Sequence, residues 1–175
     1  MKLVFVTGLE SIDKKSIINL ALQRSGFLRK SRVVDFDSLS DMREEIKTAE
    51  EFESLQILIK DYYKKSQKIL IDVLKEQKDL VIVDGCLTFR TMNHGYIQAM
   101  PKDFFETFKP SVMVILEKMP GVGQRLVPEV VEQQQVNRFY AFACSLTSGA
   151  LLKIIKFREK RILDAVESLT GVLKY

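Results

Sequence analysis

The sequence predicts an α/β fold whose parallel sheet is covered by helices on both faces. Three observations predict it. Short apolar runs recur along the chain, longer stretches of helical periodicity separate them, and the runs are apolar almost throughout rather than alternating. Strands buried on both faces read this way, and strands that alternate with helices join through right-handed crossovers.

The elements follow in order. "KLVFV" (2–6) is β-branched and aromatic and runs into Gly8. Residues 14–25 carry Ile17, Leu20 and Ala21 on one helical face, and Gly26 is placed to stop that helix. "RVVDF" (32–36) is a second strand. The longest helical pattern spans 50–76, with Phe52, Leu55, Ile59, Tyr62, Ile69 and Val73 forming its apolar stripe and Lys and Glu opposite. That stripe reads as core, with no special binding role for Tyr62 or Tyr63. "LVIVDG" (80–85) is a third strand, closed by Asp-Gly, and residues 85–101 read as the longest irregular segment. "SVMVILE" (111–117) opens after Pro110, and "LLKIIKF" (151–157) is a fifth strand interrupted by Lys153 and Lys156. Residues 129–149 and 160–174 read as helices. Ligands of such sheets sit at the carboxyl ends of the strands, which places Gly8, Asp37, Asp84 and Glu117 around one crevice.

A chain of 175 residues suits one domain spanning 1–175, without internal repeat or linker. Apolar residues make up 46% and charged residues 29%, and the formal charge is +4. That charge permits contact with nucleic acid but does not indicate it; a mildly basic solvated surface is the plainer reading. Cys86 and Cys144 stand far apart, and His94 adds only one further soft ligand, so no zinc site is expected. Two thiols without a partner motif suit a reducing, cytoplasmic setting. No signal-peptide pattern opens the chain and no apolar run is long enough for a bilayer.

One motif carries chemistry. "VFVTGLESIDKKSI" (4–17) has the strand, turn and helix context of a phosphate-binding loop, G-x-x-x-x-G-K-[ST]. Gly8 matches the first glycine and Lys14 the lysine. Asp13 stands at the second glycine and Lys15 at the Ser/Thr, with Ser16 one position late. Such loops curl backbone N–H groups around phosphates at a helix N-terminus. A carboxylate about 4 Å from one phosphate charge opposes it by roughly 4 kcal/mol at an effective dielectric near 20. Glu10 adds to this if it faces inward. In a loop one residue longer, Lys15-Ser16 would serve as the lysine–serine pair, with Ser16 on magnesium. The plainer alternative is a strand–turn–helix in which Asp13 caps the helix and Glu10 favours its positive end.

Several blocks, in this order and spacing, resemble the archaeal-type adenylate kinases, especially their methanogen branch. They are "VTG" (6–8), "DMREE" (41–45), "VDGCLTFRTMNHGYIQAMP" (83–101), "EQQQVNRFYAFACSLTSGALLKII" (132–155) and "ILDAVESLTGVLK" (162–174). The resemblance covers nearly the whole chain. It implies a P-loop, nucleoside-monophosphate-kinase fold with a five-stranded parallel sheet, and the family activity of ATP and AMP giving two ADP with Mg2+. It also implies a homo-trimer. On matching positions, Arg43 and Arg90 would face the monophosphate, and Asp84 would sit near the metal. Arg125 and Arg138 would face the transferring phosphate. Lys14 would act with them, while Gly8, Lys14, Lys15 and Ser16 would form the nucleotide loop and Ser16 with Asp84 would hold Mg2+.

The departures are as clear as the likeness. The loop has changed as described. Gly85 and Cys86 replace threonine and histidine of the family's V-D-T-H. The segment near 118–130, where the family has an arginine-rich lid, is shortened and carries Arg125 alone. Phosphoryl transfer relies on positioned positive charge and on a lid that excludes water. The reading is therefore a degenerate adenylate-kinase homologue without efficient phosphotransfer, acting as a nucleotide-binding or protein-assembly factor with an unknown protein partner. The alternatives are an active, atypical nucleotide kinase that uses Lys14 or Lys15 and a partner chain's arginines, and a nucleic-acid or protein interaction module that reuses the fold. "QQQVNRFY" (133–140) also resembles a sliding-clamp-binding box, but it falls inside a predicted helix that the family likeness already explains.

Overall fold

Five parallel strands, β1 (Lys2–Gly8), β2 (Ser31–Asp35), β3 (Leu80–Asp84), β6 (Val112–Met119) and β7 (Leu151–Arg158), form one sheet in the order β2-β3-β1-β6-β7. The structure is a computed structural model and describes residues 1–175 apart from the side chain of Asp37. Asp37, expected at the crevice, therefore lies outside the described side chains.

The strand sequences dictate the layers. Along β1, Leu3 and Phe5 point to one face and Val4 and Val6 to the other. Every one of them is buried, so both faces must be covered. The Leu3 and Phe5 face packs against α2 (Ser40–Thr48), α3 (Phe52–Leu74), α4 (Lys102–Phe108) and α5 (Pro128–Ser148), through Ile46, Tyr62, Phe105 and Ala141. The Val4 and Val6 face packs against α1 (Lys14–Ser25) and α6 (Ile162–Lys174), through Ile17, Ile18, Val166 and Leu169. A five-stranded parallel sheet between two helical layers is the P-loop, nucleoside-monophosphate-kinase type of α/β architecture.

Gly8 makes one close approach possible. A Cβ there would lie 2.8 Å from the carbonyl oxygen of Leu116 on the neighbouring strand. Gly26 stops α1 in the left-handed region, at φ 80°, where glycine has no steric cost.

Two expectations change. Residues 85–101 are not irregular: they contain an antiparallel hairpin of β4 (Thr88–Thr91) and β5 (Gly95–Gln98). The strands are short, and Gly95 takes the positive φ that closes the turn, so the pattern carried little periodicity to read. Phe52 is not core. It opens α3 half exposed, with its ring near that of His94. The helix buries Leu55, Tyr62, Ser66 and Leu70 instead.

Candidate functional site

The carboxyl ends of β1 and β3 open onto a crevice of about 390 Å³, at the point where β1 separates β3 from β6. Its lining includes Lys14, Lys15, Arg43 and Asp84, so four of the expected site residues do come together. Gly8 ends β1 just before the loop.

The loop between them satisfies itself. Leu9 and Ile12 turn inward and are buried. The Ile12 N–H donates to the Leu9 carbonyl at 3.0 Å, and the Lys14 N–H donates to the Ile12 carbonyl at 2.8 Å. Asp13, with φ −73° and ψ 74°, sits at the centre of that second turn, in the geometry of an inverse γ-turn. The carboxylate of Asp13 then caps α1. It accepts from the Ser16 N–H at 3.0 Å and from the Ser16 hydroxyl at 2.7 Å. These bonds, the hydroxyl first, hold the Asp13 carboxyl below its ordinary value. Three N–H groups at the site where a phosphate would dock are thus already donating within the chain.

The side chains around the loop are paired as well. Lys14 Nζ lies 2.9 Å from Asp84, with both side chains nearly enclosed. Burial alone would depress the Lys14 ammonium. Cys86 and Asp84 beside it act the other way and outweigh burial, so its pKa is raised. Burial pushes the Cys86 thiol up, and Asp84 is the carboxylate that meets the Lys14 ammonium. Lys47 on α2 bridges Glu10 at 2.7 Å and Glu44 at 2.8 Å, which ties the loop to α2. Lys15 lies 3.5 Å from Asp35. Four cations (Lys14, Lys15, Arg43 and Lys47) face four carboxylates (Glu10, Asp13, Glu44 and Asp84), so the crevice is neutral.

This donor set does not fit magnesium as arranged. The Ser16 hydroxyl is committed to Asp13, and the Asp84 oxygen nearest the loop is held by an ammonium.

The remaining expected residues stand elsewhere. Arg90 is exposed on β4 opposite Tyr96. Arg125 lies in the eight-residue loop 120–127 between β6 and α5 and lines a separate groove. Arg138, expected at the transferring phosphate, forks instead onto Glu117 at the end of β6, with its Nη2 2.5 Å from the second carboxylate oxygen. Glu117 is only 1% exposed, and its bidentate hold on Arg138 raises that guanidinium further.

Comparison with known proteins decides the family. The chain is 31% identical to an adenylate kinase of Pyrococcus furiosus over an alignment 191 positions long with its gaps, which covers 97% of this chain and 94% of that one. It is 30% identical to an adenylate kinase of Thermococcus kodakarensis over the same shares. The chain belongs to the adenylate kinase family. No protein-family model matches it. A dephospho-CoA kinase from Campylobacter jejuni covers 98% of both chains at 14% identity with a TM-score of 0.39, too loose a likeness to carry an argument. No helix among the described residues is long and apolar enough to cross a membrane.

Within this adenylate kinase family member, sequence reasoning passed over one side chain that lines the crevice, Lys47, and two buried amides that anchor α5. Lys47 stands one turn after Arg43 in "DMREEIK", an i,i+4 spacing that marks a helix presenting both cations on one face. Gln134 is buried and clasps the Lys118 backbone, accepting its N–H at 2.7 Å and donating to its carbonyl at 3.3 Å. Asn137 is buried and accepts from the Thr88 hydroxyl at 2.6 Å, which fixes α5 to the hairpin. The glutamine-rich start of "QQQVNRFY" thus contains a structural anchor inside α5.

Proposed function

We propose that this chain is an adenylate-kinase homologue that lacks efficient ATP:AMP phosphotransfer and serves as a nucleotide-binding or assembly protein. The observation that carries this reading is the self-satisfied loop. Asp13 takes the cap of α1 and the Ser16 hydroxyl, while Lys14 is held by Asp84. Mg-ATP would have to break that ion pair and displace an internal carboxylate before its phosphates met an N–H. The crevice offers it no net positive charge.

Two further features support the reading. The connection from Met119 to Pro128 is short and holds one arginine, so little of the chain can close over a transferring phosphate. Arg138 is bound to Glu117. Arg43 still lines the crevice, which supports retention of a monophosphate such as AMP over a triphosphate. A trimer, as implied by the family likeness, would be the assembly in which such a protein acts.

The test is a thermal melt with millimolar AMP and, separately, millimolar Mg-ATP, beside a coupled assay for ADP formation. A ligand at about a hundred times its Kd adds roughly 2.7 kcal/mol and moves the midpoint of a chain this size by several degrees. The expected result is a shift with AMP, none with Mg-ATP and no turnover. A Mg-ATP shift with turnover overturns the proposal and makes the chain an active kinase.

A further inference from the structure

The helix α2 carries Arg43 and Lys47 into the crevice, yet only Ile46 of its side chains is buried in the core. A helix this short has little stability of its own, and its last carbonyls need partners from elsewhere. Three successive residues at the tip of the β4–β5 hairpin supply them. The Met92 N–H donates to the Lys47 carbonyl at 2.9 Å, the Asn93 amide to the Ala49 carbonyl at 3.3 Å, and His94 Nε2 to the Glu50 carbonyl at 2.9 Å. A carbonyl only accepts, so His94 carries a proton on Nε2. None of the three donors lines the crevice.

The tip is held in shape before it reaches α2. The buried Thr91 hydroxyl donates to the Gly95 carbonyl at 2.9 Å and accepts from the His94 N–H at 2.9 Å. Phe52, which has no place in the core, lies against the His94 ring at 5.8 Å between centroids. At its root the hairpin is fixed to α5 through Thr88 and Asn137. The hairpin therefore stands on α5 and grips the exit from α2. Lys47 joins that grip to the nucleotide loop: its carbonyl takes the Met92 N–H while its ammonium holds Glu10 at 2.7 Å.

We propose that the hairpin tip is a latch on α2 and that His94 is a positioning residue, which sets how tightly the crevice holds a phosphomonoester without touching it. The effect on affinity rests on the reading of the crevice as a monophosphate site. With the tip engaged, Arg43 and Lys47 are presented in one arrangement, and an incoming phosphomonoester meets cations already in place. With the tip released, α2 is left to Ile46 and to the Lys47 ion pairs, which the ligand itself must disturb. The competent arrangement is then populated for part of the time, and the apparent affinity falls by that fraction. The three bonds go to backbone carbonyls, so they fix the helix rather than any one of its side chains.

The test is hydrogen exchange of the full chain, read by mass spectrometry, beside calorimetric titration with AMP. One net hydrogen bond changes an opening equilibrium about fivefold. The Asn93→Ala/His94→Ala variant is expected to speed exchange of the amides of residues 44–48 by about tenfold or more and to leave those of α6 as in the parent. Its AMP Kd is expected to rise about threefold or more. His94→Gln places an amide N–H where Nε2 stands, and both values are expected within about twofold of the parent. The proposal is overturned if α2 exchanges in the double variant as in the parent, or if α6 speeds up as much, which would mark general loosening. It is also overturned if α2 loosens while the AMP Kd stays the same, or if His94→Gln does no better than the double variant. If the parent binds no AMP, the monophosphate reading fails by itself, and the exchange of α2 against α6 alone decides whether the tip is a latch.

Discussion

Lys14, the first residue of α1, meets Asp84, the last residue of β3, at 2.9 Å, with their side chains 11% and 7% exposed. The lysine of a phosphate-binding loop is thereby turned onto the protein's own carboxylate. Removing the ammonium leaves that carboxylate enclosed beside fewer positive charges. Lys14→Met is expected to lower stability by about 3 kcal/mol in urea unfolding. The raised pKa of Lys14 fixes the pH dependence. The deficit of the variant should be fully present below the ordinary lysine value of 10.5 and shrink as pH rises through the higher folded value. A deficit that is the same at pH 9 and above pH 11 would show that the pair contributes no charge-dependent stability.

Asp13 does two things at once, and a pair of substitutions separates them. Asp13→Ala removes the cap of α1 and is expected to cost about 1 kcal/mol. Because the carboxyl is held below its ordinary value of 3.8, that contribution is present above pH 3.8 and lost as pH falls through the folded value. Asp13→Gly with Lys15→Ser restores the glycine–lysine–serine spacing and removes the internal anion. This double variant should gain a Mg-ATP-dependent rise in melting point that the parent lacks. Absence of that rise would mean that Asp13 and Lys15 are not what keeps triphosphate out.

Glu117, buried near the end of β6, is held by Arg138, whose own side chain is 41% exposed. Arg138→Met leaves a carboxylate that is 1% exposed without its fork and is expected to cost about 1–3 kcal/mol, less than a fully buried pair would, because solvent screens the half-exposed arginine. Arg138→Lys should recover only part of this, since an ammonium cannot make two parallel bonds to one carboxylate. If Arg138→Met were as stable as the parent and altered only nucleotide binding, the arginine would belong to the nucleotide site after all.

Gly8 is constrained by its neighbour strand. Gly8→Ala puts a methyl 2.8 Å from a backbone oxygen of β6, so the two central strands must part. The expected loss is about 1–3 kcal/mol, read from the urea midpoint. An unchanged midpoint would show that the strand ends are looser than the register implies.

The apolar runs that became β1, β2, β3, β6 and β7 were legible because a strand buried on both faces has no freedom to be polar. The helix from Lys14 to Ser25 was legible from its cap and its glycine stop. The hairpin at 88–98 was hidden because four-residue strands carry too few residues to show a period. At the site, the loop motif placed Lys14 and Lys15 and the strand end placed Asp84, while Arg43 came only from the family resemblance; all four do line one crevice. The sequence could not say which carboxylate each cation would meet. Arg138 and Glu117 are twenty-one positions apart, and only the packing of α5 on β6 joins them.

Charge shows the same division most plainly. The sequence by itself determined a layered parallel sheet, a phosphate-loop position with a carboxylate in place of glycine, and a modest net charge. Only the tertiary structure decided that the loop crevice is neutral, with Lys14 on Asp84 and Lys47 on Glu10. The physical reason is that burial periodicity is written in neighbouring residues, whereas electrostatic potential is a sum over side chains that folding alone brings together.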